Sequence, residues 1–238
     1  MLAEELDRVV PVISALAAAG AQISVDTMRS EVAHAALAAG AEIVNDVSGG
    51  LADPAILDVV ADTGARYVVM HWRAHADHMQ TFTTYDDGVV AGVRRELAQR
   101  LDAARAAGVR DEQIVLDPGL GFAKTADHNW ELLAGLSQLE EFELPLLVGA
   151  SRKTFLGALL AAPDGTPRAI DGREYAGAAL AVTLADRGVW GLRVHDVTAT
   201  CDALAVWKRL QAEGVGRATD RPTGHTPRED SRPSEGRP

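Results

Sequence analysis

The chain has 238 residues, with 34 acidic residues against 23 basic ones and a formal net charge of −11. A chain this acidic is a poor match for phosphate backbones, which need clustered Lys and Arg, so nucleic acid is not an expected partner. The single cysteine, Cys201, excludes an internal disulfide and a cysteine-based metal cluster. It fits a reducing compartment, and no signal peptide or membrane-length apolar run is visible, so we expect a cytoplasmic protein without a membrane partner.

Hydrophobic periodicity predicts a first helix and then a regular alternation of strands and helices. The predicted strands lie at 22–26, 42–48, 66–71, 114–117, 144–151 and 191–197. The predicted helices lie at 2–19, 31–39, 53–62, 87–107, 127–141, from 152 onward, at 174–187 and at 200–211. Segments 72–85 and 163–172 are predicted to be polar loops. Residues 214–238 have no apolar period and are predicted to be a disordered tail, which leaves 1–213 as one domain.

Strict alternation of strands and helices predicts an α/β fold with a parallel sheet and right-handed crossovers. A doubly wound sheet and a barrel both satisfy this pattern, but the turn at 24–30 lacks the glycines of a dinucleotide-binding sheet. Nearly every predicted strand ends in a polar residue, and a TIM (β/α)8 barrel gathers all its strand ends in one mouth. Six strands are visible where such a barrel needs eight, so we predict a barrel that is incomplete at the N-terminus.

The stretch from Ile114 to Thr125 is the centre of the predicted site. Its apolar strand ends on Asp117, and a proline and two glycines then turn the backbone sharply. Two other predicted strands deliver Asp26 and Asn45 to the same edge. Two carboxylates and an amide suit a planar heterocycle that is rich in N–H donors. The alternative is that each Asp caps a neighbouring helix or turn.

Cationic and polar side chains follow the last two predicted strands. Ser151 and Lys153 come after one of them, and Arg193 and His195 lie at the end of the other. In barrels this pair of loops often forms a phosphate site, for which Arg offers a fork of donors and Lys a point charge. The alternative for Arg193 is an ion pair with a neighbouring acid such as Asp196.

Three histidines lie close together in the sequence near the end of the third predicted strand. His71, His75 and His78 have spacings that can bind a metal ion such as zinc. Their setting in an irregular loop gives little support, and we do not expect a zinc site.

Six segments resemble the dihydropteroate synthase family, in the same order along the chain. They are Asp26-Thr27, Val44–Ser48, Met70-His71, Leu116–Lys124, Gly149–Lys153 and Arg193–Val197. The likeness extends over 1–212, and the Asp-Pro-Gly-x-Gly-Phe, Ser-Arg-Lys and Arg-Val-His-Asp motifs make it specific. The resemblance implies a TIM-barrel transferase of folate biosynthesis. Such an enzyme joins 4-aminobenzoate to 6-hydroxymethyl-7,8-dihydropterin diphosphate, and sulfonamides compete with the aminobenzoate.

The resemblance also implies roles for particular residues. The pterin would be held by Asp26, Asn45, Met70, Asp117 and Lys153. The diphosphate would be held by Arg193 and His195, and the aminobenzoate would be bordered by Phe122, Lys153 and Thr154. Thr154 stands where the family often has serine, and it keeps the hydroxyl. The residues implied in catalysis are Asp26, Asp117, Lys153, Arg193 and His195.

The mechanism implied by the resemblance is a dissociative displacement. Diphosphate leaves first, assisted by Mg²⁺ and the cationic residues, and the acidic pocket stabilises the positive charge that develops on the pterin methylene. The aromatic amine then attacks, so catalysis is mostly positional and electrostatic. The resemblance further implies a homodimer whose partners are small-molecule substrates.

The start of the chain departs from the family pattern. The family's first two strands and their loops have no counterpart, and residues 1–19 match the helix that follows them. One of these loops carries the Asn that helps to bind Mg²⁺, so we expect the 238-residue chain alone to lack that ligand, to be poorly soluble and to be inactive. A mis-set start or a trimmed sequence accounts for this gap more simply than a new fold.

Two alternative functions remain at this point. One is a related pterin-binding barrel such as a methyltetrahydrofolate methyltransferase, although the Ser-Arg-Lys and Arg-Val-His motifs favour a diphosphate-bearing substrate. The other is a truncated or degenerate pterin-binding homologue without catalytic activity.

Overall fold

The computed structural model describes residues 2–73 and 82–214. The strands are β1 Ser24–Asp26, β2 Ile43–Asp46, β3 Arg66–Met70, β4 Ile114–Asp117, β5 Leu147–Val148 and β6 Gly191–Leu192. The α-helices are α1 Leu2–Ala18, α2 Ser30–Ala38, α3 Ala55–Thr63, α4 Val89–Ala106, α5 Ala126–Ala134, α6 Thr154–Leu159, α7 Glu174–Asp186 and α8 Val197–Ala212. Short 3-10 helices lie at Asp111–Gln113, Leu136–Phe142 and Ile170–Arg173. Strands and helices alternate, which confirms the predicted α/β class.

All strand pairs are parallel and follow the order of the chain. Strands β1 to β4 form one four-stranded sheet, and β5 and β6 form a two-stranded sheet. A single bridge between Leu116 and Leu146 joins the two sheets. Over the described residues β1 does not pair with β6, so the barrel is not closed. The idea that six of eight barrel strands are present stays a prediction.

Alternate residues of the four-stranded sheet face opposite sides, as the pleat of a strand requires. One row of laterally paired residues belongs to the core between sheet and helices: Val25, Val44, Tyr67 and Ile114. The next row faces the opposite side: Asp26, Asn45, Val68 and Val115. Asp26 and Asn45 therefore lie on the face away from the helices, whereas Asp46, the last residue of β2, is buried on the helix side and accepts a hydrogen bond from Tyr67 Oη over 2.8 Å.

Helix α4 shows why this sequence packs against the sheet. Its buried residues recur every three or four positions and form one apolar stripe: Val89, Val93, Leu97, Leu101 and Ala104. Burying a stripe of such aliphatic side chains contributes roughly 1.5–3 kcal/mol for each large one. Two charged residues of the same helix are half-buried: Glu96, which bonds His71 and Arg73, and Arg100, whose Cγ lies near Gly49.

Three predicted elements differ from the structure. The helix predicted at 127–141 ends at Ala134, where Gly135, a poor helix former, is the C-cap at φ −92° and ψ 12°, and the chain continues as a 3-10 helix. The strands predicted at 144–151 and 191–197 pair over only two residues each. Their remaining residues form loops that carry the cationic side chains.

Some sequence predictions fall outside this structure. Residues 74–81, which include His75 and His78, and the tail 215–238 lie outside the described residues. Within the described part of the chain, no helix is both long and apolar enough to cross a bilayer.

Candidate active site

Four side chains form a continuous hydrogen-bonded row at the carboxyl ends of the strands. Asn45 Nδ2 donates to Asp26 Oδ2 over 2.7 Å, and Arg193 Nη1 donates to Asn45 Oδ1 over 2.9 Å. Arg193 Nη2 lies 3.0 Å from Asp117 Oδ2. The other oxygen of Asp117 accepts a hydrogen bond from the backbone N–H of Gly119 over 2.8 Å. The row therefore joins β1, β2 and β4 to the residue that follows β6.

Strand register brings the three acceptors together. Asp26 pairs laterally with Asn45, and Asp117 pairs with Met70 of β3. Asn45 and Asp117 are almost fully buried, at 4% and 1% exposure, while Asp26 lies at the rim. Desolvation raises the pKa of Asp26, and Arg193 and Asn45 partly offset that rise. The predicted convergence of these acceptors at one edge is found in the structure.

Arg193 reaches the acceptors by passing over a glycine. A Cβ atom at Gly149 would lie 3.0 Å from Arg193 Nη2 and 3.1 Å from its Nε, so the bare backbone leaves room for the guanidinium. Asp196, the alternative partner considered from the sequence, instead caps α8 by accepting from Ala199 N–H over 2.9 Å. The ion pair of Arg193 is therefore made with Asp117, across the site.

Lys153 approaches the same row from the loop before α6. Its ammonium donates to the carbonyl of Leu120 and lies 5.1 Å from the centroid of the Phe122 ring. Burial lowers the pKa of Lys153 to about 8, the charge of Asp117 opposes that shift, and Arg193 adds to it. Lys153 is thus held between the glycine-rich loop and the acceptor row.

The remaining predicted anion ligands lie at the rim. His195 Nδ1 is 3.0 Å from Ser151 Oγ, which also accepts from the backbone N–H of His195 over 3.3 Å. Arg152, at φ +62°, turns away and donates to Glu174 over 2.5 Å. Thr154, the first residue of α6, is exposed. The structure therefore brings His195 and Ser151 together, whereas Arg152 is bonded to Glu174.

His71 belongs to a buried network rather than to a metal site. Its Nδ1 lies 2.9 Å from Lys124 Nζ, and its Nε2 lies 2.9 Å from Glu96 Oε2. Burial, with the nearby charge of Lys124, lowers the pKa of His71 to about 4. Both ring nitrogens are occupied. Across residues 2–73 and 82–214, no group of three or more His, Cys, Asp or Glu could hold a metal ion.

Sequence reasoning missed the outer part of this network. Arg73 donates to Glu96 through Nε at 2.9 Å and Nη2 at 2.5 Å, and its guanidinium lies 3.8 Å from the Tyr85 ring centroid. Asn129 accepts from Gly121 N–H over 2.6 Å. Nothing in the periodicity of α4 or α5 distinguishes Glu96 or Asn129 from solvent-facing residues. The available indication in the sequence was that each of these polar residues stands close to buried apolar positions of its helix.

The chemistry of the site follows from this inventory. Asp26 and Asp117 are acceptors, and Asn45 can accept and donate. Lys153, Arg193 and His195 supply donors on the opposite side, on loops after short strands. A planar ligand with N–H groups along one edge and a negatively charged substituent at the other would satisfy both sets.

Comparison with known proteins gives a consistent result. Residues 2–195 match the family model described as pterin binding enzyme. The dihydropteroate synthase of Mycobacterium leprae is 54% identical over 203 residues, which is 85% of this chain and 71% of that protein. The Xanthomonas albilineans enzyme solved with 7,8-dihydropteroate has a TM-score of 0.79 and 41% identity, and covers 89% of this chain and 76% of that one.

A further structure of the same Xanthomonas albilineans enzyme contains 4-aminobenzoic acid. It has a TM-score of 0.79 and 42% identity, and the match covers 89% of this chain and 73% of that one. These matches cover the strands, the glycine-rich loop and the cationic loops described above. The chain therefore belongs to the dihydropteroate synthase family of pterin-binding enzymes.

Proposed function

We propose that this protein condenses 6-hydroxymethyl-7,8-dihydropterin diphosphate with 4-aminobenzoate, forming 7,8-dihydropteroate and diphosphate. The observation that supports this proposal is the row from Asp26 through Asn45 and Arg193 to Asp117, with Lys153 beside it. The relatives that are 40–54% identical to this chain are named dihydropteroate synthases, which favours this reaction over methyl transfer.

The acceptor row would hold the edge of the pterin. The 2-amino group and ring N–H of a pterin form a fork of donors that resembles a guanidinium. In the structure the guanidinium of Arg193 bonds to Asp117 and Asn45. We therefore infer that the pterin takes over these acceptors and that Arg193 moves aside. Met70, fully buried beside Asp117, would line the same pocket.

The displaced Arg193 would then serve the diphosphate. Its long side chain begins at the end of β6, two residues before His195, so both can address one anion at the rim. Arg193 offers a bidentate fork, and His195 and Ser151 offer further donors. Their task is to bind the leaving group and stabilise its charge as the bond to the methylene carbon breaks.

The chemical step requires little acid–base catalysis. The C–O bond to diphosphate breaks with its electron pair leaving on oxygen, and the amine nitrogen of aminobenzoate forms the new C–N bond and then loses a proton. Asp26 and Asp117 would stabilise the positive charge that spreads into the pterin ring. Phe122, Lys153 and Thr154 would border the aminobenzoate and aim its amine at the carbon.

Several finer assignments belong to the proposal. Mg²⁺ would accompany the diphosphate; the described residues hold no cluster of ligands for it, and no step here depends on it. We also propose a homodimer, a cytoplasmic location and competition by sulfonamides at the aminobenzoate site. Sedimentation and inhibition measurements test the first and last of these.

The proposed function is tested by incubating the purified protein with both substrates and Mg²⁺. Formation of 7,8-dihydropteroate and diphosphate in equal amounts is the result that the proposed function requires, and it would overturn the expectation from the sequence that the 238-residue chain alone is inactive. The control omits aminobenzoate, which should prevent pteroate formation. Binding of the pterin diphosphate without turnover would instead support the alternative of a non-catalytic pterin-binding homologue.

A further inference from the structure

Lys124 is a buried cation that the proposed reaction does not use. Its side chain is 3% exposed, yet its Nζ lies within 3.0 Å of three acceptors. These are His71 Nδ1 at 2.9 Å, the carbonyl of Gly119 at 2.9 Å and the carbonyl of Phe122 at 3.0 Å. Burial lowers the pKa of Lys124 well below its ordinary value, but all three contacts are acceptors, which matches the three donors of an ammonium group.

The positions of the protons in this network follow from the charge state of Glu96. Glu96 is held ionised, because hydrogen bonds from His71 and Arg73 outweigh the effect of burial and bring its pKa to about 2. A carboxylate only accepts, so His71 carries its proton on Nε2 and leaves Nδ1 free to accept from Lys124. His71 is neutral, and Lys124 donates to it.

The glycine-rich loop that Lys124 bonds also makes contacts with several neighbouring elements. Gly119, at φ +68°, lies so close to β3 that an added Cβ would be 2.3 Å from the carbonyl oxygen of His71. Tyr85 Oη donates to the carbonyl of Ala123 over 3.1 Å, and Asn129 accepts from Gly121 N–H. Lys124 bonds both ends of the turn, at Gly119 and Phe122, so it sets the shape of the loop.

This loop carries the groups that would face the aminobenzoate. The Phe122 ring and the Leu120 carbonyl are the contacts of the Lys153 ammonium. By contrast, Asp26 and Asn45 lie on the paired strands β1 and β2. Asp117 is the one acceptor of the row that bonds the loop directly, through the backbone N–H of Gly119.

We propose that Lys124, through its bonds to Gly119, Phe122 and His71, is a positioning residue for the aminobenzoate half of the site. It touches no substrate and acts by fixing Phe122 and the carbonyl that anchors Lys153. The inference rests on the proposed function and extends it to a residue that no substrate contact would reveal.

The first test replaces Lys124 with methionine, which keeps the length and removes all three donors. The KM for aminobenzoate should rise on the order of tenfold, because a buried acceptor without a donor costs about 1–3 kcal/mol and the loop will shift to satisfy it. The affinity for pterin diphosphate should fall by a smaller factor than the KM for aminobenzoate rises, since Asp26 and Asn45 stay on β1 and β2 and only Asp117 bonds the loop, at Gly119.

Gln113→Met is the matched structural control. Gln113 is 3% exposed and donates to two buried carbonyls, those of Val60 and Ala65, each over 3.0 Å, at the opposite end of β4. It should lower the melting temperature as Lys124→Met does and leave the KM for aminobenzoate unchanged. Equal KM values in the two variants would overturn the proposal.

A pair of substitutions at His71 separates the two halves of the network if Lys124→Met does not fold. The side-chain oxygen of His71→Asn can replace Nδ1 as acceptor for Lys124, whereas the side-chain amide of His71→Gln can replace Nε2 as donor to Glu96. The proposal requires that the Asn variant retain the aminobenzoate KM better than the Gln variant. The reverse order would show that the Glu96 side, and not Lys124, controls the loop.

Hydrogen exchange keeps this test separate from the test of function. The amide of Gly121 should exchange faster in Lys124→Met than in Gln113→Met when the two are compared at equal stability. If the unmodified protein formed no pteroate, the proposed function would fail, and this measurement would still decide whether Lys124 holds the loop. Unchanged exchange at Gly121 would count against the inference by itself.

Discussion

The two halves of the sheet hold their functional groups in different ways. Strands β1 to β4 pair over three or four residues each and carry Asp26, Asn45 and Asp117 at or next to their last positions. Strands β5 and β6 pair over two residues, and their cations stand on the loops beyond. The acceptors are therefore fixed by the backbone, whereas Lys153 and Arg193 reach the site on long flexible side chains. The difference suggests a rigid pterin pocket served by mobile anion ligands.

The largest effect is expected from removing charge on the rigid side. Asp117→Asn leaves Gly119 N–H with an acceptor but loses the charged partner of Arg193 and of the pterin. Truncating one partner of a buried charged pair costs about 2–5 kcal/mol. We expect turnover to be abolished and pterin affinity to fall by at least tenfold in calorimetry. Unchanged affinity would show that the fixed acceptors are not the pterin pocket.

Arg193→Ala is the corresponding change on the mobile side. Affinity for the diphosphate ester should fall by about 1.5–3 kcal/mol, the worth of hydrogen bonds to a charged group. Affinity for the bare pterin should hold or improve, because Arg193 no longer occupies Asp117 and Asn45. Titration of both ligands separates these effects. An equal loss for the two would mean that Arg193 contributes to the rigid pocket after all.

The pKa of Lys153 predicts a pH dependence for the mobile side. With a pKa of about 8 in the fold against 10.5 as its ordinary value, Lys153 loses its charge in the folded protein first. Affinity for the diphosphate ester should therefore fall as pH rises through about 8. Between pH 8 and 10.5 the unfolded chain binds more protons at this residue, so its contribution to stability rises with pH. Lys153→Met should remove both the loss of affinity as pH rises through about 8 and the change in stability between pH 8 and 10.5.

The smallest effect is expected at Thr154. The residue is exposed at the start of α6, and Thr154→Ser keeps the hydroxyl while removing one methyl group. Turnover and aminobenzoate KM should stay within about 0.5 kcal/mol of the original values, the usual range for such surface changes. Thr154→Val, which loses the hydroxyl at the same volume, is the control that would reveal a hydrogen bond to substrate.

The sequence predicted the rigid half better than the mobile half. Asp26, Asn45 and Asp117 were found because a parallel strand fixes where the residues at its carboxyl end lie. The partner of Arg193 was not found, since a side chain with several rotatable bonds can reach Asp117, far away in sequence, as readily as Asp196. The end of α5 was misplaced because Gly135 was not recognised as the C-cap of that helix.

The network around His71 was out of reach of the sequence for a different reason. The three histidines suggested metal ligands, but the role of His71 is set by Glu96 and Lys124, which are 25 and 53 residues away in sequence. Hydrophobic periodicity describes the faces of a single helix or strand, so it cannot predict contacts between residues this far apart in the sequence. Only the folded structure shows that His71 bonds Lys124 through one ring nitrogen and Glu96 through the other.

The unequal environments of the lysines have a consequence for covalent chemistry. The chain contains three, at positions 124, 153 and 208. The amine of Lys124 is enclosed, and Lys208 is exposed on α8. Lys153 is half-buried, and its lowered pKa leaves it with an appreciable fraction of uncharged, nucleophilic amine near neutral pH. A mild acylating reagent should therefore label Lys153 at a lower pH than an ordinary surface lysine, and a ligand in the pocket should protect it from that label.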